Sequence, residues 1–236
     1  MITTVLFDLD GTLLPMDQDV FVKYYFGLLA QKLAPHGYAA DPLIAGIWKG
    51  TGAMVKNDGS CTNEEAFWNC FCGIMGDRCR ADEPIFDEYY HREFQQVQQV
   101  CGFDPRAAQV VERCKDLGLT VALATNPIFP AIATQSRAQW AGLDLGDFAL
   151  YTTYENSRYC KPNPKYYLDI LQKLGKTPQE CLMVGNDVAE DMVARELGME
   201  VFLLTDCLIN KDNTNIDQWP HGSFPELMNF IRELKA

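Results

Sequence analysis

Hydrophobic positions along the chain follow two patterns. Short apolar runs that stop at polar loops occur at Val5-Leu6-Phe7, Leu119 to Ala124, Phe148 to Thr152, Cys181 to Val184 and Glu200 to Leu204. From residue 105 on they alternate with helical-period stretches: Pro105 to Leu117, stopped by Gly118, about Ala131 to Ala141, a helix started by Asn163-Pro164, and about Pro225 to Leu234. Nearly continuous apolar strands alternating with helices predict an α/β fold, a parallel sheet covered by helices on its faces.

Between about residues 16 and 101 only the helical period is present. Val20, Phe21, Tyr24, Tyr25, Leu28, Leu29 and Leu33 share one face until Pro35-His36-Gly37 stops the pattern. Asp41-Pro42 reads as a cap and a first-turn proline, and Thr62-Asn63-Glu64-Glu65 as a capping box leading into Phe67, Trp68 and Phe71. A further helix carries Ile85, Phe86, Tyr89, Tyr90, Phe94 and Val97. The predicted organisation is therefore a core of residues 1–15 and 102–236 with an all-helical module, 16–101, inserted after the first strand. The module's aromatic side chains read as its own hydrophobic core. Lys49, Lys56, Arg78 and Arg80 either face an anionic ligand or are solvated surface charge, and the sequence leaves both open.

Composition narrows the partners. With 20 Lys+Arg against 32 Asp+Glu, the net charge of -12 repels phosphate backbones and anionic lipid, and no basic run offsets it, so neither nucleic acid nor a membrane surface is expected. Met1-Ile2-Thr3-Thr4 lacks the positive lead of a signal peptide, and no apolar stretch is long enough to span a bilayer, which predicts a soluble, cytoplasmic protein. Nine cysteines, an odd number, fit reduced thiols better than a disulfide framework. Cys61, Cys70, Cys72 and Cys79 lack the paired Cys-x-x-Cys spacing of a zinc site, and no metal is assigned to them.

Candidate chemistry gathers where the apolar runs end. Asp8 and Asp10 interrupt the first one, and burying a carboxylate there is costly without a partner or a metal. Side chains two apart on a strand point to one side, so the pair would project together before Gly11 turns the chain. Asp10-Gly11 is also an ordinary turn dipeptide, a reading that leaves Asp8 unexplained. Thr125 and Asn126 follow the second run; the Thr125 hydroxyl could donate to a phosphoryl oxygen or merely cap the turn after Pro130. Lys161 precedes the helix that Asn163-Pro164 starts, where the macrodipole already favours an anion. Gly185-Asn186-Asp187-Val188-Ala189-Glu190-Asp191 closes the fourth run, with Asp187 either a metal ligand or an N-cap.

In that order, Asp8-Leu9-Asp10-Gly11-Thr12, Thr125, Lys161-Pro162-Asn163-Pro164 and the acidic loop at Asp187 and Asp191 resemble the four motifs of the haloacid dehalogenase superfamily of hydrolases. The resemblance covers essentially the whole chain, and the helical insertion matches the subgroup whose mobile cap follows the first strand. It implies a doubly wound, Rossmann-like sheet of order 3-2-1-4-5 with the Asp8 strand central. It further implies an Mg²⁺-dependent phosphatase acting on a small phosphorylated metabolite, and says nothing of oligomeric state. Asp8 would be the nucleophile, forming an aspartyl-phosphate; Asp10 would be the acid and base; Thr125, Asn126 and Lys161 would hold phosphoryl oxygens. The metal set carried over is Asp8, Asp10 through its carbonyl, Asp187 and, through water or from behind, Asp191. Asn186 departs from the pattern, since an Asp usually follows the Gly directly; the charged oxygen of Asp187 is the preferred substitute. A sugar-phosphate mutase, a haloacid dehalogenase and a non-catalytic binding protein remain the other readings of the same fold.

Overall fold

The structure, a computed structural model, describes residues 1–76 and 78–235. Six parallel strands form one sheet: β1 (Thr4–Phe7), β2 (Thr120–Leu123), β3 (Leu150–Tyr151), β4 (Cys181–Gly185), β5 (Glu200–Leu204) and β6 (His221–Gly222), in the order β3-β2-β1-β4-β5-β6. The sheet has the predicted order with β6 added at its edge. Thr4 pairs with Thr120 on one side and with Cys181 on the other, so β1 is flanked by two parallel neighbours. Every residue of β1 and of β4 is buried, which explains why both read as continuous apolar runs. The pleat splits β1 between two cores: Val5 and Phe7 join one, Leu6 the other, together with Met183 and the aromatic residues Tyr166 and Tyr167.

The helices are α1 (Gln18–Leu33), α2 (Ala40–Val55), α3 (Asn63–Met75), α4 (Arg78–Ala81), α5 (Glu83–His91), α6 (Pro105–Asp116), α7 (Ala131–Trp140), α8 (Pro164–Leu174) and α9 (Phe224–Lys235). The first five, with a 3₁₀ stretch over Glu93–Val100, lie between β1 and α6; no described residue from Gln18 to Val100 is in a strand, and an isolated bridge joins Met16 to Cys101 across the ends of the segment. There the two connections run side by side, Gly102 N donating to Pro15 O at 2.6 Å. Thr62 caps α3 through the capping box expected of it, accepting from Glu65 N while the Glu65 carboxylate accepts from Thr62 N.

Several boundaries differ from expectation. β1 ends at Phe7, so Asp8 and Asp10 stand in the loop beyond the strand, because Leu9 is already turned back by the Leu14 N to Leu9 O bond. α2 starts at Ala40, placing Asp41-Pro42 in a first turn whose N–H groups have no intrahelical partner to lose. The stripe of α1 is Phe21, Tyr25, Leu29 and Leu33, while Val20, one step around the helix, is 47% exposed. The single helix expected from Ile85 to Val97 breaks at Arg92; beyond it Phe94, Val97 and Val100 recur every three residues, the period that a 3₁₀ helix places on one face. The third strand is only Leu150–Tyr151.

Phe94 joins the helical segment to the core. Fully buried, it packs against Phe21, Tyr25 and Tyr90 and lies 5.1 Å from the Trp140 ring of α7. Phe94→Ala should therefore cost about 3–5 kcal/mol, the range for truncating a buried aromatic residue, measured as a lower urea midpoint at unchanged slope.

Candidate active site

β1, β2 and β4 deliver their polar residues to one end of the sheet. Asp8 follows β1, its N–H bonded to Val184 O of β4 at 2.9 Å. Asp8 is 7% exposed and its carboxylate is doubly held: Lys161 Nζ donates to Oδ1 at 2.8 Å and Thr12 Oγ1 donates to Oδ2 at 3.0 Å. Lys161 Nζ also donates to Asp191 Oδ1 at 2.7 Å. Burial works against the charge on Lys161, yet Asp191 and Asp8 outweigh it and hold the ammonium well above its ordinary pKa. Asn163, accepting from Lys165 N, caps α8 as expected, so Lys161 stands just ahead of that helix.

The loop after β4 closes over the other side. Asp191 is buried, with Oδ2 accepting from Asp187 N at 2.9 Å; a side chain on Gly185 would overlap its carboxylate, so that position has room only for glycine. Asn186 is buried too. Its Oδ1 lies 2.9 Å from Thr12 Oγ1, whose single proton it shares with the Asp8 carboxylate, and its Nδ2 donates to Cys207 O at 2.7 Å. One hydroxyl thus links the Asn186 amide oxygen to the Asp8 carboxylate, and a Cβ on Gly11 would overlap that amide. Asp187 Oδ1 caps the following turn by accepting from Ala189 N and Glu190 N. Glu190 does not complete a capping box here: its carboxylate accepts from Asn126 Nδ2, and burial pushes its pKa up to about 7.

Asn126 also binds the Lys161 backbone, accepting from its N–H at 3.2 Å. Thr125 is buried, and its carbonyl accepts from Thr152 Oγ1 and Tyr166 OH. It does not cap α7, because the Glu155 carboxylate accepts from Ala131 N. Of the residues singled out from the sequence, Asp8, Asp10, Thr125, Asn126, Asp187 and Asp191 face one cavity of about 270 Å³, and Lys161 lies directly behind Asp8. Lys49, Lys56, Arg78 and Arg80 do not line it; Arg78 pairs with Asp82 and Arg80 with Glu83.

Sequence reasoning missed Arg137. Fully buried on α7, it forms an ion pair with Asp10 Oδ2, and its guanidinium lies 4.4 Å from the Phe129 ring centroid. Its signal was present: it occupies the turn between Ala133 and Trp140, both buried, where the helical period assigns an apolar residue. Burial raises the Asp10 pKa, Arg137 pulls it down, and Asp8 adds to the rise. The polar stretch Thr205 to Phe224 also acquires a place, since Cys207 O accepts from Asn186 and the Asp187–Ile209 bridge braces the loop.

The oxygens suit a hard cation. Asp8, Asp10, Asp187, Glu190 and Asp191 face the cavity against two buried cations, Arg137 and Lys161, and Asp10 Oδ1 is buried with no hydrogen-bond partner among the described residues. Among the described residues no three His, Cys, Asp or Glu side chains converge as a cage. A cation here would rest on one or two carboxylates with neutral oxygens and water, the kind of set Mg²⁺ takes.

The chain belongs to the haloacid dehalogenase-like hydrolases, whose family model matches residues 2–198. It is 29% identical to the putative phosphatase YhcW of Bacillus subtilis over 42% of this chain and 44% of that one. It is also 24% identical to the phosphoglycolate phosphatase of Agrobacterium fabrum, over 80% of this chain and 75% of that one. The chain thus spans less than half of the Bacillus relative, and 17% of a chloroplastic relative from Arabidopsis thaliana. Among solved structures, the 2-haloacid dehalogenase of Pseudomonas syringae pv. Tomato shares the fold at a TM-score of 0.66, with 18% identity over 99% of this chain and 100% of that one.

The Lys161 ammonium separates two buried carboxylates, so its loss leaves both unpaired. Lys161→Met should destabilise by about 3–5 kcal/mol. Adding Asp191→Asn should restore part of that, and a double-mutant cycle in urea checks the coupling.

Proposed function

We propose that the protein is an Mg²⁺-dependent phosphatase that hydrolyses a small phosphate monoester through an aspartyl-phosphate on Asp8. The observation that carries this reading is the Asp8 carboxylate, buried at the cavity floor, fixed by Lys161 and Thr12, with Asp10 two residues on. Two carboxylates in different surroundings suit different tasks: Asp8 is paired with an ammonium, whereas burial raises the proton affinity of Asp10. Asp8 attacks phosphorus, the ester P–O bond breaks, and its electron pair leaves on the alcohol oxygen, which takes a proton from Asp10. Water then gives a proton to Asp10 as it attacks phosphorus, breaking the bond to Asp8. The balance is one ester and one water to one alcohol and one phosphate.

Thr125 and Asn126 line the cavity beyond β2, where hydroxyl and amide would meet phosphoryl oxygens, and Lys161 pairs with Asp8 and aligns it from behind. Mg²⁺ bound beside Asp8 would screen the approach of two anions and orient the phosphoryl group. Asp8, the Asp10 carbonyl and Asp187 would hold it, with Asn186 the neutral alternative. Both oxygens of Asp191 are already engaged, by Lys161 and Asp187 N, which supports a place for it behind the ion. A haloacid dehalogenase would have no use for the proton on Asp10 or for the acidic loop.

Purified protein with Mg²⁺ should turn over phosphate monoesters and leave 2-haloacids untouched; the reverse outcome makes it a dehalogenase. Asp8→Asn should abolish turnover with the fold unchanged by circular dichroism. Asp10→Asn should slow an alkyl phosphate by about 10²–10⁴-fold, the contribution of a general acid–base group. Mg²⁺ affinity by calorimetry should fall most for Asp187→Asn, less for Asp191→Asn and least for Asn186→Ala; a ranking led by Asn186 would move the ligand to the amide.

A further inference from the structure

The cavity above Asp8 has a polar floor and aromatic walls. From the helical segment come Phe26, Trp48, Phe67, Trp68 and Phe86; Phe129 stands on the core side. Among the described residues no Lys, Arg or His lines it, and its floor already carries a surplus of carboxylates. Trp48 is 53% exposed at the rim and lies 5.4 Å from the Phe26 ring.

We propose that the alcohol half of the substrate is an uncharged aromatic body, so that esters of aryl-bearing alcohols are preferred over phosphorylated acids and sugars. The inference takes its phosphoryl end from the phosphatase reading and its alcohol end from the cavity alone. A carboxylate on the alcohol would lie against rings with no cation to pair it, a position that burial makes costly. A sugar would bring a ring of hydroxyls to walls whose polar groups are few: Gln18, Thr51, Tyr154, the indole N–H groups of Trp48 and Trp68, and the Tyr25–Tyr90 pair, whose hydroxyls already bond each other at 2.9 Å. An aromatic ring meets neither obstacle and gains edge and face contacts with its neighbours. Size agrees, since an apolar cavity of about 150 Å³ accepts one benzene ring, and this one, at about 270 Å³, has room for a ring and a phosphoryl group.

The test uses benzyl phosphate, 2-phosphoglycolate and glucose 6-phosphate, all esters of alkyl alcohols, with the full chain and Mg²⁺. Benzyl phosphate should show at least a tenfold higher kcat/KM than either of the others, most of it in KM. Trp48→Arg, which adds a cation at the exposed rim, should shift the benzyl to phosphoglycolate ratio at least tenfold toward the acid. Calorimetry with the non-hydrolysable 2-phenylethylphosphonate and 3-phosphonopropionate should favour the former by at least tenfold. If phosphoglycolate or glucose 6-phosphate is turned over as well as benzyl phosphate, the aromatic preference is wrong and the phosphatase reading stands. If no ester reacts but the phenyl phosphonate still binds more tightly, the phosphatase reading fails and the preference stands. Equal binding without turnover overturns both.

Discussion

The ammonium of Lys161 is the constraint on which the site depends. Asp8 and Asp191 come from loops after adjacent strands, β1 and β4, and would repel each other if nothing cationic lay between them. Lys161 fills that place, with separations of 2.8 and 2.7 Å and no exposed side-chain surface. An ammonium taken out of water is itself unfavourable, so the trio is stable only as a set. The surroundings hold it: Asn126 fixes the lysine backbone, Gly185 leaves space for Asp191, and Tyr166 and Tyr167 close α8 over it. Because charge balance within the trio is unequal, with two carboxylates to one ammonium, Thr12 and the Asp187 N–H supply the remaining donors.

Most of this frame was legible in the sequence because it is local. Apolar runs ending in Asp8, Thr125 and Asn186 give the strand ends, and Asn163-Pro164 gives the start of α8, so the residues just ahead of it are placed as well. What could not be read is long-range pairing. Nothing near Arg137 announces Asp10, which is 127 positions away, and nothing in the polar stretch after β5 announces that Cys207 O will hold Asn186. Asp187 shows the limit from the other side: the cap was foreseeable from spacing, but a capping carboxylate oxygen leaves its partner oxygen free, so a cap and a ligand are not exclusive readings.

The aromatic residues of the helical segment illustrate a second limit. Periodicity identifies a face that avoids water, and a cavity wall avoids water as a core does. Phe21 and Tyr25 serve both: each packs on Phe94 in the core and each lines the cavity above Asp8. Only the arrangement in space separates the two uses, because it shows where the rings stop touching one another.

On the proposed reading, catalysis and selectivity fall to different parts of the chain, and α7 is the helix that meets both. Arg137 reaches down to Asp10, Ser136 accepts from Gln95 Nε2 at 2.9 Å, and Trp140 lies against Phe94. Gln95 and Phe94 belong to the 3₁₀ stretch that ends the helical segment. A displacement of that segment therefore bears on α7 at two points within one turn of Arg137, and through Arg137 on the carboxylate of Asp10. Another tether, Asn63 at the start of α3, binds Pro127 O in the loop after β2, beside Asn126. These two connections end next to groups of the site, while others join Asn63 N to Ser157 O, Glu64 N to Tyr154 O and Arg158 to Gly59 O. The aromatic walls are thus joined, through Phe94, Gln95 and Asn63, to the helix that holds Asp10 and to the loop that carries Asn126.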